Sequence, residues 1–199
     1  MTLFPETAPA KKPSKRREND RYLTPPLATQ ALLEHFQEVR GDLLIDPCCG
    51  DGRMAEAIGD RFESQLLNDI DHKSIAAWNH LDATRIETWQ FWSNRPRTKA
   101  WVVTNPPFGR AGDIAHLALE QGFSVALLLR LTFLEPTGGR QWLTRMPPTA
   151  ILVLPRIDFI GAGSTDSSTY AWMIWAEGII KPGIKVVRAE DIGQQGLPL

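Results

Sequence analysis

The chain has 199 residues, a hydrophobic fraction of 43% and seven tryptophans, the profile of one folded domain with a sizeable core rather than a disordered chain. Its formal net charge of −1, from 22 basic and 23 acidic residues, excludes a broadly basic surface, so nucleic-acid contact would have to come from a local patch. The two cysteines are the adjacent Cys48 and Cys49, which excludes a disulfide framework and fits a reducing compartment.

No apolar run is long enough for a membrane span, and the N-terminus lacks the apolar core of a signal peptide, so a cytoplasmic protein is expected. Residues 1–21 carry Lys11, Lys12, Lys15, Arg16 and Arg17 with nothing periodic to bury. They read as a flexible basic tail, either a solvated leader or an arm for phosphates. Order is expected from Tyr22. Thr24 is placed to cap a helix whose first turn accepts Pro25 and Pro26, and Leu32, Leu33, Phe36 and Val39 give it an apolar face up to Gly41.

Leu43–Ile45 reads as the first strand. It runs into Asp46-Pro47-Cys48-Cys49-Gly50-Asp51-Gly52 and then a helix over Met54–Phe62. A strand, a glycine turn and a helix let backbone approach a ligand with the helix N-terminus behind it. The spacing is neither the three-glycine dinucleotide fingerprint nor a phosphate loop with its lysine. Asp46 and Asp51 would repel a pyrophosphate but suit a ligand with a cationic amino-acid end.

The second strand, Gln65–Leu67, delivers Asn68-Asp69-Ile70-Asp71. An acid at the strand tip after such a turn is where a ribose diol is held, and Asp69 is the better placed; Ile70 could cover an adenine face. A helix over Lys73–Trp78 and a short third strand ending in Leu81-Asp82-Ala83-Thr84 follow, with Asp82 able to accept from an adenine amino group. Arg85–Lys99, with Trp89, Phe91 and Trp92 among basic residues, reads as a helix on the sheet edge or as part of a base-contacting rim.

The fourth strand is the apolar run Trp101-Val102-Val103, which breaks at Thr104 into Asn105-Pro106-Pro107-Phe108. Pro106 drives Asn105 into an extended conformation, and neither proline can donate into a ladder, so the tetrad must be a rigid loop at a strand mouth. The Asn105 side-chain carbonyl and the Pro106 backbone carbonyl form an acceptor pair suited to an amino group with two N–H donors. Pro107 stiffens the loop and Phe108 offers a stacking face. Accepting both hydrogens localises the nitrogen lone pair, which is positioning plus electrostatics, and requires no catalytic His, Cys or metal.

Beyond it, Asp113 is expected to cap a helix that stops at Gly122, and Val125–Leu129 is a buried fifth strand. A Gly138-Gly139 turn leads to a helix around Trp142. Ala150–Leu154 and Ala171–Trp175 are the sixth and seventh strands. The Arg156–Tyr170 stretch between them exceeds a tight hairpin and is a candidate for substrate contact. From Lys181 on, at most a strand-like stretch near Ile184–Val187 is expected.

In that order, Asp46-Pro-x-x-Gly-x-Gly52, the acidic tip Asp69, Asp82-Ala83 and Asn105-Pro-Pro-Phe108 resemble the class I S-adenosylmethionine-dependent methyltransferases that modify amino nitrogens. Leu129–Glu135, Gly163–Asp166 and Tyr170–Trp175 are similar to small phage and prophage DNA N6-adenine methyltransferases. The resemblance implies a Rossmann-like α/β fold with a seven-stranded, mostly parallel sheet, helices on both faces and an antiparallel last strand. It implies a catalytic domain over 22–180 and an extension over 181–199. Asp46, Pro47, Gly50 and Gly52 would line the methionine part of the cofactor, Asp69 and Ile70 the ribose and adenine, and Asp82 with Ala83 the adenine. Tyr22, Thr24 and Pro25 would close over the methionine end. Asn105, Pro106, Pro107 and Phe108 would be the catalytic tetrad. The implied partner is nucleic acid, DNA ahead of RNA. Many DNA enzymes carry Asp first and Tyr last in the tetrad, so RNA bases, a protein glutamine amide and a non-catalytic partner subunit stay as alternatives.

Overall fold

The computed structural model describes residues 23–94, 99–156 and 168–193. Tyr22, the basic tail, Gly163–Asp166 and most of the Arg156–Tyr170 stretch lie outside the described residues. Seven strands form one sheet: β1 (Gly41–Asp46), β2 (Phe62–Leu67), β3 (Ala100–Thr104), β4 (Ser124–Arg130), β5 (Ala150–Val153), β6 (Tyr170–Trp175) and β7 (Gly183–Val186). Their spatial order is β2-β1-β3-β4-β6-β5-β7.

All neighbouring pairs are parallel except those of β6, which runs antiparallel to β4 and β5. The expected antiparallel strand at Ala171–Trp175 is therefore antiparallel, but it is not the last, because β7 follows and pairs parallel to β5. Leu81–Thr84 is not a strand. The isolated bridge before it joins Asn68 with Asn79, and side chains take the segment's own backbone groups: Asp82 accepts from the Thr84 N–H, while Thr88 and Trp89 donate to the carbonyls of Asp82 and Ala83.

Helices α1 (Pro26–His35), α2 (Arg53–Ile58), α3 (Ile86–Ser93) and α4 (Ala111–Glu120) flank the sheet. Alternation along the strands feeds two cores. Leu44, Trp101, Val103, Leu128 and Trp172 pack with α1 and α2, whereas Ile45, Val102, Leu127 and Met173 pack with Trp89 and Trp92 of α3 and with α4. Strands buried on both faces are what the near-continuous apolar runs require. Burial of Trp89 and Trp92 makes Ile86–Ser93 a packed helix within the Arg85–Lys99 stretch, of which residues 95–98 lie outside the described residues.

Several helix boundaries differ from expectation. Lys73–Trp78 is a run of turns, because the Asp71 side chain and carbonyl accept from the N–H groups of Lys73 and Ser74, and Ile75 and Trp78 are left exposed. The α1 N-cap is Pro25, with Pro26 at the first helical position, so Thr24 does not cap it. Arg110 rather than Asp113 is the α4 N-cap. Helix α1 ends at His35, while Phe36 and Val39 stay buried without helical geometry. The helix expected over Met54–Phe62 is α2 followed by a 3-10 turn, and Trp142 sits in a short 3-10 helix, Gln141–Thr144. Among the described residues no helix is long and apolar enough to cross a membrane.

One contact ties this scaffold to the segment entering from Leu23: the fully buried Trp172 indole donates to the Ala28 carbonyl at 2.7 Å. Trp172→Phe, which loses the donor and one of the two fused rings, should lower stability by about 2–3 kcal/mol. Trp172→Ala should lower it by ~3–5 kcal/mol. Urea unfolding of both variants checks the order.

Candidate active site

The C-terminal ends of β1, β2 and β3 open onto a cavity of about 520 Å³, where open α/β sheets bind ligands. Its walls bring together Thr24, Asp46, Pro47, Gly50, Asp69, Ile70, Asp82, Ala83, Asn105 and Pro107, drawn from the pre-α1 segment and from four separate loops. Pro25, Gly52, Pro106 and Phe108 are not on the wall.

The glycine turn is shaped by its backbone. Gly50 and Gly52 have φ of +58° and +84°, a region that L side chains rarely adopt, and a Cβ on Gly52 would fall 2.8 Å from that of Ala76. Gly52 thus shapes the turn from behind. The turn is tied to Asp69, whose two carboxylate oxygens accept from the N–H groups of Gly50 at 2.8 Å and Asp71 at 2.9 Å. Each oxygen keeps a lone pair with which to accept from a hydroxyl. Asp82 is held in a turn by Thr84, whose hydroxyl and N–H bond its Oδ1 at 2.7 and 2.9 Å. The Thr84 hydroxyl, then its N–H, keep the Asp82 carboxyl below the usual range.

Asp46 is the unsettled charge of the site. It is fully buried, and that burial pushes its carboxyl up to about 7; the nearby Asp69 adds to the rise, while the Thr104 hydroxyl and the Cys48 N–H oppose it. The Cys48 N–H reaches Oδ1 at 3.1 Å. Although Thr104 lies close, neither its hydroxyl nor Asp46 Oδ2 makes a hydrogen bond of ordinary geometry. A buried carboxyl oxygen without a good partner beside a cavity suits a cationic ligand group. Burial also pushes up both thiols, Cys49 to about 12 and Cys48 well above its ordinary value, so they are protonated fillers of the turn and not nucleophiles. Among the described residues no three His, Cys, Asp or Glu side chains converge to hold a metal.

Sequence reasoning passed over Asn68, the fully buried residue at the end of β2. Its amide nitrogen donates to the carbonyls of Pro47 and Leu81, both at 3.0 Å, and its Oδ1 accepts from the Leu81 N–H at 2.9 Å. Its backbone carbonyl accepts from the Cys49 N–H. Its only local signal was the position directly before Asp69. Ser74 was also missed; its hydroxyl donates to the Gly50 carbonyl.

Phe108 turns from the cavity toward β4 and β6. Its ring centroid is 5.9 Å from that of Tyr170, and the Arg130 guanidinium carbon lies 4.9 Å over it. Pro106 is buried in the loop between Asn105 and Pro107.

No protein-family model and no curated relative matches the sequence. Among solved structures, the chain is similar to a modification subunit ascribed to a type I restriction enzyme of Vibrio vulnificus. The identity is 15% over 86% of this chain and 51% of that one, with a TM-score of 0.59. The methyltransferase subunit of a type I restriction-modification system from Streptococcus thermophilus matches at 13% identity over 83% of this chain and 47% of that one, with a TM-score of 0.55. The 23S rRNA methyltransferase ErmE matches at 16% over 81% and 72%, with a TM-score of 0.51. The chain shares the Rossmann-like α/β fold of these proteins. It spans about half the length of the two restriction-system subunits.

Two measurements test this geometry. A carboxyl raised above its ordinary value of 3.8 contributes stability below that value and loses it as the pH climbs to about 7. Asp46→Asn should therefore match the wild type below about pH 4 and exceed it by a few kcal/mol at about pH 8, as read by thermal unfolding across pH. Asn68→Ala strands the partners of a buried amide, and should lower stability by ~2–4 kcal/mol while weakening any ligand of the cavity, although Asn68 does not line it. Calorimetric titration of S-adenosylmethionine into the folded variant checks the second part.

Proposed function

We propose that this chain is an S-adenosylmethionine-dependent methyltransferase that modifies an exocyclic amino group of a nucleic-acid base, adenine N6 in DNA in the first instance. The observation that carries the reading is that Asn105 shares one cavity with Asp46, Asp69 and Asp82, although nearly sixty residues separate the ends of that set. The fit to the cofactor rests on the chain's own groups: a buried carboxyl oxygen of Asp46 without a good partner, a positive-φ turn at Gly50, and Asp69 oxygens able to accept from a diol. When bound, S-adenosylmethionine supplies a methyl group on a positively charged sulfur.

The residues then divide the work. Asp46 and the Gly50 turn receive the cationic amino-acid end, Asp69 the ribose, and Asp82 with Ala83 and Ile70 the adenine. Tyr22, Thr24 and Pro25 would close over the methionine end. The Asn105 side-chain carbonyl and the Pro106 carbonyl accept the two hydrogens of the target amino group, and Phe108 stacks on the base. A target in a duplex must be flipped out of the stack to reach them. Similar structures include both restriction-system modification subunits and an rRNA methyltransferase, so RNA is the second reading, favoured by the Asn and Phe of the tetrad.

The test is transfer of labelled methyl groups to unmethylated DNA and, separately, to total RNA, followed by nucleoside mass analysis. N6-methyladenine in DNA is expected. Asn105→Ala should cut transfer by roughly 10²–10³-fold while leaving cofactor affinity nearly unchanged. Label only in RNA would move the substrate class, and label in neither, despite cofactor binding, would favour a protein amide or a partner subunit.

A further inference from the structure

We infer that Arg110 and Arg140 form a phosphate-binding rim for the target strand beside the Asn105 loop; the inference rests on the proposed methyl transfer to a nucleic-acid base. Arg110 is exposed and lies on the wall of the same cavity as Asn105. Its N–H donates to the Pro107 carbonyl at 2.8 Å, which ties it to the prolines of the loop. Among the described residues the wall has one other cation, Arg53, which is paired with Asp51 at 2.7 Å, whereas the Arg110 guanidinium has no ion pair and no hydrogen bond. Arg140 reaches the same end of α4 from a distant part of the chain. It packs against the first turn, where a Cβ on Gly112 would meet its Cγ at 3.3 Å. Its Nε donates to the carbonyls of Phe133 and Glu135 at 3.1 and 3.3 Å, and its guanidinium carbon lies 5.2 Å from the centroid of the Phe133 ring. The stem is thereby fixed, while its two terminal nitrogens have no hydrogen bond among the described residues.

The signs of these charges separate two ligands. The acids of the wall, Asp46, Asp69 and Asp82, suit a cationic cofactor and repel a polyanion. An unpaired guanidinium in their company adds nothing to the hold on a cation; it fits a phosphate, whose oxygens accept two parallel N–H bonds from its planar fork. The formal net charge of −1 means that no broadly basic surface draws a nucleic acid in, so attraction has to be local. A base flipped out of the stack stays joined to its backbone, which brings the flanking phosphates to the mouth where the Asn105 loop and Arg110 lie. Contacts to phosphate carry no sequence information, but they fix register and orientation. Because the protein already holds the Arg140 stem, its terminal nitrogens lose little freedom on binding.

The experiment compares the full-length wild type with Arg110→Gln, Arg140→Gln, the double variant and Arg110→Lys. Binding of a fluorescein-labelled unmethylated DNA duplex, and of RNA of the same sequence, is followed by anisotropy across salt concentrations. S-adenosylmethionine binding is read by calorimetry, and methyl transfer is measured on both nucleic acids. Each glutamine variant should weaken DNA binding roughly five- to tenfold. The slope of log affinity against log salt should become shallower by about one in each, and by about two in the double variant. Arg110→Lys should keep the slope. Cofactor affinity should stay within about twofold throughout, and the loss of transfer should appear in KM ahead of kcat. A double variant with the wild-type slope would overturn the inference. So would loss of cofactor affinity in Arg110→Gln with nucleic-acid binding intact, which would assign that residue to the cofactor, or lowered thermal stability in Arg140→Gln with an unchanged slope, which would make Arg140 structural only. A wild type that binds nucleic acid through both arginines but transfers no methyl group would remove the proposed reaction and leave the rim; transfer with unaltered binding in the variants would do the reverse.

Discussion

The buried amide of Asn68 is the contact on which the cavity depends. Three chain segments meet at the ends of β1 and β2, where regular strand pairing gives out apart from the Asn68–Asn79 bridge. One side chain satisfies the Pro47 carbonyl and both the carbonyl and the N–H of Leu81, so the glycine turn and the Asp82 turn are held at a set separation. Buried polar groups that are fully paired make a structure specific as well as stable. The absence of a third strand at Leu81–Thr84 becomes intelligible in this light: the segment is ordered by side chains instead of by a neighbour in the sheet.

Around that joint the charge distribution is graded. Asp69 and Asp82 already accept from backbone N–H groups or a hydroxyl, and so present oriented carboxylates. Asp46 is buried with incomplete satisfaction and a carboxyl raised to about 7. A carboxyl raised by burial in this way costs the fold stability at neutral pH. The two protonated thiols beside it add bulk without adding charge.

The other side of the Asn105 loop is organised differently, by ring and cation packing instead of by carboxylates. β6 makes this possible. As the one antiparallel strand among parallel neighbours, it places its first residue, Tyr170, at the end of the sheet where the parallel strands finish. The carboxylate-lined cavity and the aromatic cluster therefore sit on two sides of one short loop.

By itself the sequence determined the sheet strands with long apolar runs, the glycine turn, the acid after the second strand and the Asn-Pro-Pro-Phe mouth. Each of these is a local signal: a run buried on both faces, a backbone that only glycine tolerates, prolines that forbid a ladder. Tertiary structure alone decided the rest. Lys73–Trp78 carries helix-compatible residues but no stripe to bury, so turns capped by Asp71 won. Gly183–Val186 lacked periodicity, yet β5 offered it an edge to pair with. Asn68 was invisible as the joint of the cavity because its partners lie far along the chain, Pro47 at a separation of 21 residues. Hydrogen bonds and ring contacts across such distances leave no local pattern, and only the closed sheet brings them within reach.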